Sequence, residues 1–143
     1  YYYQFERTID GYDPNNLGGP KDDNPKNPYF RFHGADMPWV FGTLGRIREP
    51  EDLWSVQLVS SYFGSFVRNG DPNPDLKYLQ VRGYDKVIEG VKNYGQWNQV
   101  AGGKKNGDEV RHLDWPSTNS EYVDVEQCNW LGYPLDYYLK GGI

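Results

Sequence analysis

Apolar positions are unevenly spread along this chain, and one window carries a clear period. Leu53, Val56, Val59, Phe63, Phe66 and Val67 recur at the spacing that lines up side chains on one helix face. That predicts a helix over 51–68 with these six residues as its buried side. Pro50 suits the first turn, because its φ is preset and a first-turn N–H has no intrahelical acceptor. Glu51 and Asp52 complement the positive end of the helix dipole. Asn69-Gly70 reads as a left-handed cap, and Pro72 bars continuation just beyond. The opening Tyr1-Tyr2-Tyr3-Gln4-Phe5-Glu6 reads as a strand, and a second strand is expected near Glu121–Val125. From Asp10 to Pro28 the chain is dense in Gly, Pro, Asn and Asp. Such a stretch cannot bury a core, so it is expected on the surface, delivering the residues that follow to a cleft.

Composition narrows the classes. At 143 residues the chain suits one domain. A net charge of -5 and a pI near 4.9 leave no electrostatic footprint for nucleic acid, and no basic cluster suggests an anionic membrane. Lys104-Lys105 is the only dense basic point, flanked by Gly103 and Asn106, and reads as a solvated turn. No apolar run reaches the length of a membrane span. Aromatic residues make up 17%, so the core must lean on Tyr, Trp and Phe, a composition that suits a secreted, surface-active or carbohydrate-handling protein. Cys128 is the sole cysteine, and an odd cysteine in a secreted chain suggests a partner outside it or a free thiol. The opposing reading is a small buried hydrophobe. The strand at Tyr1 has no initiator Met or signal peptide before it, and the expectation is that a cleavage or a break in the chain precedes it.

Four segments carry a resemblance. They are Tyr1–Glu6 (Tyr-x-Tyr-x-Phe-acidic), Phe32-His33-Gly34-Ala35-Asp36-Met37-Pro38-Trp39-Val40-Phe41-Gly42, the turn Phe66-Val67-Arg68-Asn69-Gly70-Asp71-Pro72-Asn73, and Leu113-Asp114-Trp115-Pro116. In this order and spacing they resemble the type-B carboxylesterase/lipase family of α/β-hydrolases, from about Tyr1 to about Pro116. The tail to Ile143 is less diagnostic, and Tyr78–Asn106 reads as an insertion with no counterpart. In α/β-hydrolases the triad runs Ser, then Asp or Glu, then His, and a Gly-x-Ser-x-Gly elbow carries the serine. No such elbow occurs in the chain. The resemblance therefore implies an α/β fold: residues 1–143 would be the C-terminal portion of one α/β-hydrolase catalytic domain, a mostly parallel sheet flanked by helices and completed by an N-terminal portion.

What the resemblance implies for chemistry is specific. The activity would be carboxylic-ester hydrolysis by acyl transfer to a serine, with a small-molecule or lipid ester as substrate and no cofactor or metal. His33 would be the triad histidine. A serine hydroxyl is a poor nucleophile until an imidazole takes its proton, and the same imidazole later protonates the leaving alcohol. Only histidine has an ordinary pKa close enough to neutrality for both steps. Gly34 would let the loop turn tightly, and Asp36 would be a supporting residue rather than the triad acid, which the family places upstream of the histidine. Met37, Pro38 and Trp39 are the local candidates for pocket walls. The partner would be an N-terminal fragment of the same precursor bearing the serine elbow, with Cys128 available for an inter-chain disulfide, and no nucleic acid.

Other chemistry is weaker. Ser55, Ser60, Ser61 and Ser65 lie on the expected helix, none at a strand-to-helix turn that would expose a nucleophile. His112 has no motif around it and reads as a surface residue. Asp71-Pro72-Asn73-Pro74-Asp75 imitates the first ligands of a calcium loop, but Leu76 stands where glycine is needed and Arg82 where a carboxylate is needed. The rival class is an aromatic-rich carbohydrate-binding module, with Trp39, Phe41, Trp54, Trp130, Tyr133, Tyr137 and Tyr138 as a stacking platform. A catalytically dead esterase-like interaction module is the third reading.

Overall fold

The computed structural model describes residues 1–7, 33–45, 47–100, 110–120 and 125–132. Among them the chain forms β1 (Tyr2–Phe5), α1 (Met37–Val40), α2 (Pro50–Asn69), α3 (Leu76–Val81), α4 (Asp85–Tyr94), β2 (Val110–Leu113), β3 (Thr118–Ser120) and α5 (Val125–Trp130). The architecture is mixed α/β, a small mixed sheet with five helices. Strand order is β1-β2-β3, with β1 and β2 parallel and β3 antiparallel to β2. Tyr2 is level with Val110 and Phe5 with Leu113, and Glu6 N–H extends the ladder to Leu113 O at 3.0 Å. The first strand lies where the tyrosine run suggests. The second was not legible: Val-Arg-His-Leu has no apolar alternation, yet three of its four residues are buried. The strand expected near Glu121–Val125 falls mostly outside the described residues, and Val125 itself opens α5.

Helix α2 starts and stops as its sequence dictates. Pro50 occupies the first turn, and Gly70 closes the helix at φ +72° with its N–H on Phe66 O at 2.8 Å. Its face is a correction. The buried residues are Asp52, Ser55, Leu58, Val59, Ser61, Tyr62 and Ser65, while Leu53, Phe66 and Val67 are exposed. The true face is rotated by roughly one residue position, about 100° round the helix. Small serines let α2 approach its neighbours closely, and Asp52 is drawn inward by arginines. A count of apolar positions sees neither effect. Val59 belongs to both faces, and Phe63 packs at the margin of the core. Phe63→Ala is therefore expected near the low end of the roughly 3–5 kcal/mol typical of emptied aromatic sites, and Phe66→Ala well below it. Urea midpoints that fell equally for both would restore the original face.

The core gathers Trp39, Leu58, Val59, Tyr62, Leu79, Val87, Trp97 and Leu113, with Phe5, Tyr84, Ile88 and Trp115 against it. Aromatic rings fill the space that aliphatics usually take. Trp97 packs edge-on to Tyr3 and Tyr62 at 5.8 and 5.5 Å and donates its indole N–H to Tyr2 O at 2.9 Å. The Asp-Pro-Asn turn holds it there. Asn73 Oδ1 accepts from Trp97 N–H at 2.8 Å while Asn73 Nδ2 donates to Trp97 O at 3.0 Å. The calcium-like carboxylates are likewise committed to the protein. Asp71 accepts from both nitrogens of Asn73, and Asp75 caps α3 through Lys77 N–H.

Two buried groups on β2 complete the frame. Arg111 is 1% exposed and donates to Ser117 Oγ, Tyr62 Oη and the carbonyls of Tyr94 and Gln96. Tyr94 ends α4, so the guanidinium sits at the negative end of a helix dipole. Burial raises the Tyr62 hydroxyl pKa although Arg111 pulls it down, which keeps it protonated. His112 is not the surface residue expected: its side chain is 13% exposed and Nδ1 lies 3.4 Å from the Glu6 carboxylate.

Gly90, inside α4, shows a close approach. A Cβ there would lie 2.9 Å from Trp115 Cη2 and 3.4 Å from Cζ3. Glycine to alanine in a helix normally gains about 0.5–1 kcal/mol. Here overpacking against a large ring reverses the sign, and Gly90→Ala is expected to lose roughly 1–3 kcal/mol in urea unfolding. A gain in stability would show that the Trp115 ring gives way freely.

Candidate active site

The His33 turn is held by three constraints, one local and two reaching back to the first strand and its end. Gly34 has φ +82°, in the left-handed region that L side chains rarely adopt, and its carbonyl accepts Met37 N–H at 3.1 Å. A Cβ at Gly34 would meet only Met37 Cγ at 3.9 Å, so the need for glycine is conformational rather than steric. Asp36 accepts the N–H groups of Trp39 and Val40 through its carbonyl and starts α1. Its carboxylate does not cap that helix; it accepts the Tyr3 hydroxyl at 2.8 Å instead. Tyr3 is pushed up to about 12 by burial, then by this hydrogen bond and the Asp36 charge, so the phenol remains a donor across the working pH range. The turn is thus tied to β1 by a side-chain bond spanning 33 residues.

Trp39 supplies the third constraint. It is 0% exposed, with Phe5 at 5.9 Å between ring centroids and the Arg7 guanidinium 5.7 Å from its own centroid. Its indole N–H is buried and has no hydrogen-bond partner among the described residues, which shows how far packing dominates its placement. The three residues expected to wall a pocket therefore separate. Met37 is half exposed, Pro38 is partly buried, and Trp39 is an anchor with no surface to offer a ligand. His33 itself is exposed, and among the described residues no carboxylate or hydroxyl engages it.

The serines stay out of reach of such chemistry. Ser55 and Ser65 are 1% exposed and Ser61 5%; Ser61 donates to Gln57 O at 2.6 Å and Ser65 to Asn73 O at 3.0 Å. Cys128 is a partly buried free thiol.

Beneath the turn lies a charge network that sequence reasoning missed. Arg7, at the end of β1, donates to Asp52 Oδ1 at 2.7 Å and Asp114 Oδ1 at 2.9 Å, and also pairs with Glu49. Arg48 donates to both oxygens of Asp52 at 2.9 Å through its side chain, and its backbone N–H adds a third bond. Desolvation pushes the Asp52 carboxyl up, but the hydrogen bonds from Arg48 and Arg7 outweigh it and hold it below its ordinary value. Burial likewise opposes the Arg7 charge, and its bonds to Asp52 and Asp114 outweigh that. Asp52, which reads in sequence as a dipole-complementing residue, is a fully buried counter-ion. The signal available in sequence was a knot of charges at 48–52 and an arginine just after the first strand. Arg48 and Asp52 stand at i,i+4, but the partners of Arg7 sit 42 to 107 residues away along the chain, and no spacing rule joins those.

An apolar recess opens beside β1, walled by Tyr1, Tyr3, Phe63, Phe66 and Trp97. Tyr3 belongs to this recess and, through its hydroxyl, to the His33 turn. Of the proposed aromatic platform, Trp39 is in the core, Phe41 and Trp130 are exposed on separate elements, and Tyr133, Tyr137 and Tyr138 lie outside the described residues. In comparisons with known proteins, no family model, no curated protein and no solved structure matches the chain.

Proposed function

We propose that this chain supplies the proton-transfer histidine of a serine carboxylester hydrolase, as a C-terminal segment of an α/β-hydrolase domain. His33 acts as general base toward the serine hydroxyl and then as general acid toward the leaving alcohol. The serine, its orienting acid and the oxyanion donors come from an N-terminal segment of the same precursor. The observation that carries this reading is an exposed imidazole on a turn fixed from three sides, by Gly34, the Tyr3–Asp36 bond and buried Trp39. A histidine that merely decorates a surface loop needs no such fixing, whereas proton transfer needs positional accuracy. The resemblance of the His33 segment and the Gly-Asp-Pro-Asn turn to type-B carboxylesterases and lipases points the same way. A secreted setting goes with that resemblance.

The test is assembly and labelling. The tagged chain is expected to copurify with a segment bearing Gly-x-Ser-x-Gly, and a fluorophosphonate probe is expected to label that serine. Non-reducing electrophoresis reads the Cys128 bond, as one band that splits on reduction. A folded, monodisperse 16.6 kDa species with no partner, inert to the probe, overturns the reading.

A further inference from the structure

We propose that a trough between α4 and the Trp54–Trp115 pair is a saccharide subsite, taking one neutral pyranose ring of a polysaccharide or glycan. It does not depend on His33. Lys86, Glu89, Gly90 and Asn93 stand at i, i+3, i+4 and i+7 on α4, which places them on one helix face. Together with Trp54, Trp115 and Pro116 they line an open recess of about 130 Å³.

The floor is aromatic and held in place. The two indoles lie 5.5 Å apart between centroids, tilted by 56°, and both are only partly buried. Trp115 is wedged against the bare backbone of Gly90, and Lys86 Nζ sits 5.9 Å from the Trp54 centroid. A pyranose has one apolar face of C–H bonds and hydroxyls around its rim. The face matches an indole, whose electron-rich surface attracts the slightly positive C–H groups.

The wall is polar, which simple packing does not explain. α4 has its core side in Val87, with Ile88 and Val91 partly buried against the cluster, and its second face meets Trp115, at the margin of the core, and Trp54. That face offers a donor in Lys86, an acceptor in Glu89, and both in Asn93, whose exposed amide no described residue engages. Lys86 and Glu89 neutralise each other at 2.8 Å, so the trough favours a neutral polyhydroxylated ligand over an ion. The recess beside β1 lacks that polar wall.

The full chain is titrated with cellopentaose, xylopentaose and mannopentaose, following indole emission and heat. At least one is expected to bind saturably, with Kd of about 1 mM or tighter. Trp54→Ala and Asn93→Ala are each expected to weaken it about tenfold or more. Asn93 is exposed, so its variant keeps the test valid if Trp54→Ala fails to fold. No saturable binding of any of the three, or binding untouched by Asn93→Ala, overturns the proposal. Tighter binding of an oligogalacturonate than of every neutral sugar would also overturn it.

Discussion

If the proposed hydrolase function holds, replacing His33 by glutamine in the complex with the serine-bearing segment is expected to lower ester turnover by about 10⁴- to 10⁶-fold, the scale seen when a triad member is removed. Glutamine keeps hydrogen-bonding capacity and approximate size but cannot take a proton from serine near neutrality. The fold should not respond. His33 is exposed and makes no bond to a described residue, so its loss empties no cavity and strands no buried group. Tyr3→Phe and Asp36→Asn test the supporting shell. Tyr3→Phe removes and Asp36→Asn weakens the 2.8 Å bond that ties the turn to β1, and each should cost far less than His33→Gln, because the imidazole remains. The measurement is turnover of an activated ester beside a thermal melt of each variant. Near-normal turnover by a folded His33→Gln enzyme would remove His33 from the mechanism.

Local signals proved legible where the physics is local. Pro50 and Gly70 bound α2 because a preset φ and a left-handed cap act within one turn. The Tyr1–Glu6 strand was likewise readable from β-forming aromatics. The face of α2 was not, because burial of Asp52 and three serines depends on arginines and close packing that come from elsewhere in the chain. For the same reason β2 was hidden. Arg111 and His112 look solvent-seeking until Tyr62, Ser117, the end of α4 and Glu6 are brought around them.

The candidate site divides the same way. His33, Gly34 and Asp36 belong to a contiguous motif, and Gly34 shapes their turn locally, while the Tyr3–Asp36 bond that ties it to β1 is not legible in that motif. Trp39 was assigned to a pocket because it follows the histidine closely. The structure gives it another task, since Phe5 and Arg7 arrive from β1 to cover it. Sequence proximity to a reactive residue does not say which way a side chain faces. Four-residue helices such as α1 leave that choice to the core.

The Arg7–Asp52–Arg48 network should prove the most sensitive point of the frame. Asp52→Asn keeps the shape of the side chain but removes the charge that faces two buried guanidinium groups. Breaking a buried pair by neutralising one partner typically costs about 3–5 kcal/mol, because the remaining charge is left without compensation. Glu49 and Asp114 still contact Arg7, which offsets part of the loss there, and the start of α2 loses the charge that binds both Arg7 and Arg48. Acid should abolish the difference between wild type and variant. Asp52 is held below its ordinary value in the folded protein, while in the unfolded chain it titrates near about 3.9. Its stabilisation is therefore complete above that unfolded value and fades as pH falls toward and through the folded one. Urea unfolding of both proteins, repeated from neutral pH to about pH 3, should show a gap that is widest at neutrality and narrows below about pH 4. A gap that stays constant with pH, or is absent at neutrality, would mean that this network holds shape without its charge.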